Sequence, residues 1–233
     1  MRPLSNESQL RYQDWVMGRT RYVEEHGGPN FGYAHIPDMG EGGLVGFVKG
    51  HYPDVYKTAM IYDDRYNGGG FTSSLILQDI AAYPTSWWKP RTGAPWTRES
   101  WANIGYKAAL CNEYNFSDGE LFVEAWKYMK LGPVVGTRTG GGEVGSGGGY
   151  TLIDHGSIYV PAYGDYREGD WLVEGKGASP TVSVEEDPNE VMQGRDPQLD
   201  RAIAILKDEL AKKPITIPQH PPFPVVRTGA TPH

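Results

Sequence analysis

The chain has 233 residues, with 22 Lys and Arg against 29 Asp and Glu for a formal net charge of −7, and 39% of it is hydrophobic. That hydrophobic share supports a sizeable core and excludes a globally disordered chain. The acidic balance argues against a nucleic-acid surface, where a basic stripe is the expected footprint.

In chain order, Tyr12, Trp15, Val16, Arg19, Tyr22 and Val23 fall at helical spacing and predict a helix over 7–25, stopped by Gly27-Gly28-Pro29. A strand follows at 31–36. Residues 41–51 contain Gly42, Gly43 and Gly46, which give a helix little support. A short apolar strand at 58–62 feeds the run Asp63-Asp64-Arg65-Tyr66-Asn67-Gly68-Gly69-Gly70, and a helix is expected at 71–82. Residues 83–101 read as a loop carrying Trp87, Trp88, Trp96 and Trp101, suited to packing, to a substrate wall or to a subunit contact.

A strand at 107–112, a helix at 117–130 and a strand at 133–137 come next, and 145–162 alternates short strand-like runs with turns. Cys111, the single cysteine, lies in Ala108-Ala109-Leu110-Cys111 and reads as an inert core thiol. Asp196 as N-cap and Pro197 at the first helical position open a helix whose apolar stripe is Leu199, Ala202, Ile203, Leu206 and Leu210. Six prolines follow Lys213, so 214–233 is expected to wrap a surface or hang free. The alternation predicts an α/β domain. A helix over 1–29 leads into a core over 30–213, followed by the Pro-rich tail over 214–233. No apolar run reaches the roughly 18 residues of a membrane span, and the N-terminus lacks the apolar segment of a signal peptide. The compartment stays open.

Two segments carry chemistry. Three consecutive glycines let backbone N–H groups face a ligand with no Cβ in the way. Further on, Asn115-Phe116-Ser117-Asp118-Gly119-Glu120 sets a serine at the mouth of an amphipathic helix. Read locally, Ser117-x-x-Glu120 is equally a capping box, with the hydroxyl on the third helical amide and Glu120 returning to the Ser117 amide.

Asp63-x-Arg65-x-Asn67-Gly68-Gly69-Gly70 resembles the D-x-R-x-N-G-G signature of the tail-processing serine peptidases, the group of C-terminal processing proteases and tricorn-like enzymes. Residues 32–39 resemble the opening strand of the tricorn branch, 117–120 its nucleophile segment, and Gly136-Thr137-Arg138-Thr139-Gly140-Gly141 the glycine turn after it. The match runs from Arg11 to Leu210 in the same order. The resemblance implies the spiral β-β-α fold shared with Clp-type and crotonase-like enzymes, with added strands and a C-terminal helix. It implies Ser117 as nucleophile and the N–H groups of Gly70 and Asp118 as oxyanion donors. Asp63, Arg65, Asn67, Gly68 and Gly69 would support the turn. Asp64 departs from the family, which is mostly apolar at that place.

The base is not evident. One branch uses a lysine where this sequence has Gly142. The tricorn branch uses a histidine on a helical domain upstream of a PDZ-like module, and neither is present in this sequence. Of the six histidines, none sits in a family motif for the base. His35 is expected to be structural, and His155, beside Asp154, is the in-chain alternative. Glu174 resembles the glutamate that orients the histidine, or is a solvated loop carboxylate.

The reading is a serine peptidase domain that cleaves peptides through an acyl-enzyme, its base supplied by an upstream domain in cis or in trans. By resemblance a homo-oligomer is expected. No metal or other cofactor is implied. A non-catalytic peptide-binding or assembly module of the same fold is the alternative, and an acyl-CoA-processing enzyme a third.

Overall fold

The computed structural model of the protein describes residues 5–224. Helix α1 (Ser8–Gly27) leads into strand β1 (Phe31–His35), helix α2 (Glu41–His51), strand β2 (Ala59–Asp63) and helix α3 (Ser73–Ile80). A ribbon of β3 (Trp87–Trp88) and β4 (Trp96–Thr97) precedes β5 (Tyr106–Cys111), α4 (Asp118–Tyr128) and β6 (Val134–Gly136). Then come the hairpin β7 (Gly145–Thr151) and β8 (Ser157–Tyr163), and the pair β9 (Tyr166–Arg167) and β10 (Asp170–Trp171). Strand β11 (Val182–Ser183), helix α5 (Pro188–Met192) and helix α6 (Pro197–Lys212) complete the order.

Five strands form one parallel sheet in the order β1-β2-β5-β6-β11. Parallel strands need crossovers, and the crossing helices cover both faces. Accordingly every residue of β1 and β2 is buried. Alternate side chains go to opposite cores. Ala34, Met60, Tyr62, Ala109 and Val134 pack with Phe47, Ile76, Phe122 and Trp126 of α2, α3 and α4. Phe31, Tyr33, Ile61, Leu110 and Val135 pack with Tyr22 of α1 and with Leu199 and Leu206 of α6.

Helix α2 forms in spite of its glycines, and the reason is tertiary. A Cβ on Gly46 would stand 2.4 Å from the His35 carbonyl oxygen, and one on Gly50 would stand 2.5 Å from Ala34 Cα. Only glycine lets α2 lie this close to β1, and burial of Phe47 offsets the poor propensity. Helix α3 starts later than its periodicity predicts. The Phe71 and Thr72 N–H groups both donate to the Met39 carbonyl oxygen, which holds the backbone in a turn until Ser73.

The tryptophan segment, expected as a loop, pairs as β3 and β4, with Trp88 and Trp96 still exposed. Residues 145–162 form one long hairpin whose strands are exposed on both faces, apart from a partly covered Gly145. Helix α6 opens as expected, with the Asp196 side chain accepting the Leu199 N–H. The Lys213 carbonyl, at the end of α6, accepts the Tyr106 hydroxyl at 3.0 Å, and the described part of the tail returns toward the ribbon, where the Arg91 guanidinium lies 5.9 Å from the Phe223 ring centre. Cys111 is buried against the Thr137 carbonyl, and burial pushes its thiol well up in pKa. No helix among the described residues is long and apolar enough to cross a membrane.

Candidate active site

Strands β2 and β5 are neighbours, parallel, and in register at Asp63 and Leu110. The loops leaving their C-terminal ends therefore emerge side by side, at the edge where α/β sheets build their sites. This is why residues 64–70 meet residues 112–117. The Phe116 N–H donates to the Asn67 carbonyl at 2.9 Å. Gly69, at φ 95°, lies directly against the serine: a Cβ there would stand 2.6 Å from Ser117 Cβ and 3.1 Å from its Oγ. A Cβ on Gly70, at φ 147°, would stand 2.0 Å from the Met39 carbonyl oxygen. Both positions require glycine.

Ser117 stands at φ 54°, ψ −129° and makes no side-chain hydrogen bond to cap α4. The capping box is not formed. Glu120, wholly buried, turns the other way and accepts the Thr139 hydroxyl, the Gly141 N–H at 2.7 Å and the Gly142 N–H at 2.8 Å. The Gly142 carbonyl in turn accepts the Ser117 N–H at 3.0 Å. Glu120 thus clamps the helix mouth to the glycine turn after β6 and leaves the serine hydroxyl without a hydrogen-bond partner among the described residues. Positive φ at a non-glycine residue costs about 1–3 kcal/mol and persists only where the surroundings impose it.

Neither the Gly70 N–H nor the Asp118 N–H donates to a protein acceptor among the described residues. The Gly69 N–H is turned to Asn67 Oδ1 at 2.8 Å, which sets the course of Gly68 and Gly70. The Asp118 carboxylate accepts the Ser73 N–H at 3.0 Å and the Ser73 hydroxyl, tying the first turns of α3 and α4 together. Burial raises its pKa.

Asp63 and Arg65 hold the turn from below. The buried guanidinium donates from Nε to Asp63 Oδ1 at 2.9 Å and from Nη2 to Asp63 Oδ2 at 2.6 Å. It also reaches Asp196 at 3.1 Å and Glu186 at 2.6 Å. Burial alone would raise the Asp63 pKa, but the Arg65 charge outweighs it and the carboxyl lies below its ordinary value. Arg65→Met should therefore cost about 3–5 kcal/mol of unfolding free energy in a denaturant titration, because it strands buried carboxylates. A loss below about 1 kcal/mol would remove Arg65 from this structural role.

The histidines are mostly engaged elsewhere. His35 is buried, with Nδ1 on the Tyr12 hydroxyl at 2.9 Å and Nε2 on the Arg65 carbonyl at 3.1 Å. His51 is buried between the Tyr62 hydroxyl and the Trp101 carbonyl, each at 2.8 Å. His26 stacks on Tyr22. His155 sits at φ 65° in the exposed turn between β7 and β8, and Asp154 accepts the Gly156 N–H instead of orienting the ring. No hydrogen bond joins His155 to the Ser117 cluster among the described residues. His220 is in the tail and His233 lies outside the described residues. Glu174 Oε2 accepts the N–H groups of Glu143 at 2.8 Å and Val144 at 2.7 Å, next to the Gly142 that holds Ser117. Sequence reasoning missed Glu143, which is buried, accepts the Asp165 N–H at 3.3 Å and has its own pKa raised by burial, and it missed Asn115 as a loop anchor. The short Asn112–Asn115 spacing, an Asx-type turn signal, could have pointed to the latter.

A parallel α/β sheet that sets a strained, uncapped serine against a glycine turn, with the Gly70 and Asp118 amides unpaired among the described residues, fits a domain of the serine-hydrolase type. The chain belongs to Peptidase family S41, whose profile matches residues 30–184. It is 38% identical over 221 residues to Tricorn protease homolog 1 of Streptomyces coelicolor, covering 93% of this chain and 21% of that protein. It is 37% identical over 219 residues to the Tricorn protease of Thermoplasma acidophilum, covering 94% of this chain and 20% of that protein. The crystal structure of the tricorn protease superposes with a TM-score of 0.84 at 36% identity, over 89% of this chain and 20% of that one. The chain spans about a fifth of the length of these relatives. The mixed α/β fold expected from the motifs is the fold of these neighbours.

Proposed function

We propose that this chain is the peptidase domain of a tricorn-like serine peptidase that cleaves peptides through an acyl-enzyme on Ser117. The observation that carries this reading is the Ser117 hydroxyl, unpartnered among the described residues and held at φ 54° against Gly69. Ser117 Oγ attacks the scissile carbonyl carbon and loses its proton to a base. The oxyanion that forms is held by the N–H groups of Gly70 and Asp118, which have no protein acceptor of their own among the described residues. The C–N bond then breaks, the amine leaves with the proton, and water hydrolyses the ester by the same route.

The base in this reading is a histidine from a helical domain that precedes a PDZ-like module, joined in cis or in trans. Glu174 would receive its ring. Both amide hydrogen bonds to Glu174 fall on Oε2, which leaves Oε1 for an incoming N–H. Peptide substrates and a homo-oligomer belong to the same proposal, by likeness to the relatives above, and no cofactor enters it.

Fluorophosphonate labelling with peptide mapping tests it. The phosphonyl adduct should map to Ser117, slowly in the 233-residue protein alone and faster once a histidine-bearing domain is supplied. Absence of Ser117 labelling in both settings would sink the reading. Gly70→Ala probes the oxyanion hole in the complete enzyme. The added Cβ displaces the turn from Met39, and kcat should fall about 10²–10³-fold with little change in KM. Equal losses of binding and turnover would make Gly70 a substrate-positioning residue instead.

A further inference from the structure

Asp64, which lies between Asp63 and Arg65 in the turn, is wholly buried. It touches both loops of the site. Oδ1 accepts from Asn67 Nδ2 at 2.8 Å, and Oδ2 accepts from Asn115 Nδ2 at 2.6 Å. Asn67 passes the constraint on: its Oδ1 accepts the Gly69 N–H, and Gly69 lies against Ser117. Asn115 stands two residues before the serine, where its Oδ1 accepts the Asn112 N–H at 2.8 Å and its carbonyl accepts the Gly140 N–H at 3.0 Å.

We propose that Asp64 is a positioning residue: its carboxyl locks the glycine turn that carries the oxyanion amide against the loop that carries Ser117. The inference rests on the peptidase reading above. Each asparagine amide has a second acceptor, the Ile36 carbonyl for Asn67 and the backbone carbonyl of Asp64 for Asn115. The Asp64 carboxyl therefore satisfies the remaining side-chain N–H of each, beside the Asp64 backbone carbonyl, which accepts the Asn67 N–H at 3.2 Å and Asn115 Nδ2 at 2.6 Å. Arg65 offers it no compensation, because the guanidinium is taken by Asp63, Asp196 and Glu186. Burial pushes the Asp64 pKa well up, and the charges of Asp63 and Asp118 add to that against the two amide hydrogen bonds. A group so placed sets distances between reacting parts, and displacements of about 1 Å there cost up to 10²-fold in rate.

The test uses peptidyl boronic acids, because their adduct needs no general base at equilibrium. An O–B bond forms at Ser117, the hydroxyl proton goes to buffer, and a boronate oxygen occupies the oxyanion position. The tightest of a small set of acetyl-dipeptide boronic acids, with basic, apolar or acidic terminal residues, is compared with its carboxamide counterpart. Asp64→Asn keeps the shape but turns one acceptor into a donor facing another N–H. It should weaken boronate binding about tenfold, the scale of one buried hydrogen bond, and leave carboxamide binding unchanged.

A purely structural role would lower the melting temperature and leave the boronate-to-carboxamide ratio at the wild-type value. That result overturns the proposal, as does an equal loss for both probes. Should Asp64→Asn fail to fold, Asp64→Val carries the test, since each asparagine keeps one acceptor. It should lower the ratio at least as far. Ser117→Ala separates the two levels: boronate binding that survives it brings down the peptidase reading, whereas abolition there with a normal ratio in the Asp64 variants brings down this proposal alone.

Discussion

Supplying a histidine-bearing domain to this protein, in cis or in trans, should raise its peptidase turnover by about 10²–10⁴-fold. The described histidines account for the expectation. His35 and His51 are buried with both ring nitrogens engaged, and burial lowers both pKa values. Neither can swing to Ser117 without breaking the core. The Gly142 amide and carbonyl are committed to Glu120 and Ser117. Without a base the serine hydroxyl stays protonated near neutral pH, and nucleophilic attack seldom starts. Steady-state cleavage of a fluorogenic peptide, with and without the added domain, measures the effect. Robust Ser117-dependent cleavage without the added domain would refute it, and His155→Ala would then be the first variant to assay.

Ser117→Ala, assayed with a histidine-bearing domain supplied, should lower turnover by on the order of 10⁴-fold or more and abolish fluorophosphonate labelling. The stability change should stay within about 0.5 kcal/mol. A capping serine would behave otherwise, since loss of an N-cap costs about 1 kcal/mol. The uncapped geometry at φ 54° removes that contribution. Paired urea titrations and kinetics separate the two roles. A stability loss near the cap value with retained activity would return Ser117 to a purely structural position.

At Glu120 the motif and the structure diverge. Its spacing from Ser117 matches a capping box, because that signal depends only on residue types three positions apart. The alternative partner, the amides of Gly141 and Gly142, lies about twenty residues downstream. Adjacency of β5 and β6 brings it to Glu120, and no local pattern contains it. The same limit applies to Asp64. Its neighbour Asn67 is three residues away, but Asn115 reaches it only because β2 and β5 lie side by side.

By itself the sequence determined the alternation of strands and helices, the start of α6 and the segments that carry Ser117 and the glycine turn. These are written in periodicities of two and 3.6 residues, in the Asp-Pro cap and in short motifs, all of which act over a few residues. Only the tertiary structure decided that α2 is a helix, that Ser117 is uncapped, and that Asp64 spans two loops. It also decided that none of the described histidines is hydrogen-bonded to the serine. Those outcomes depend on which distant segments become neighbours across a parallel sheet, where the packing of Gly46 on His35 or a shared carboxyl outweighs local propensity.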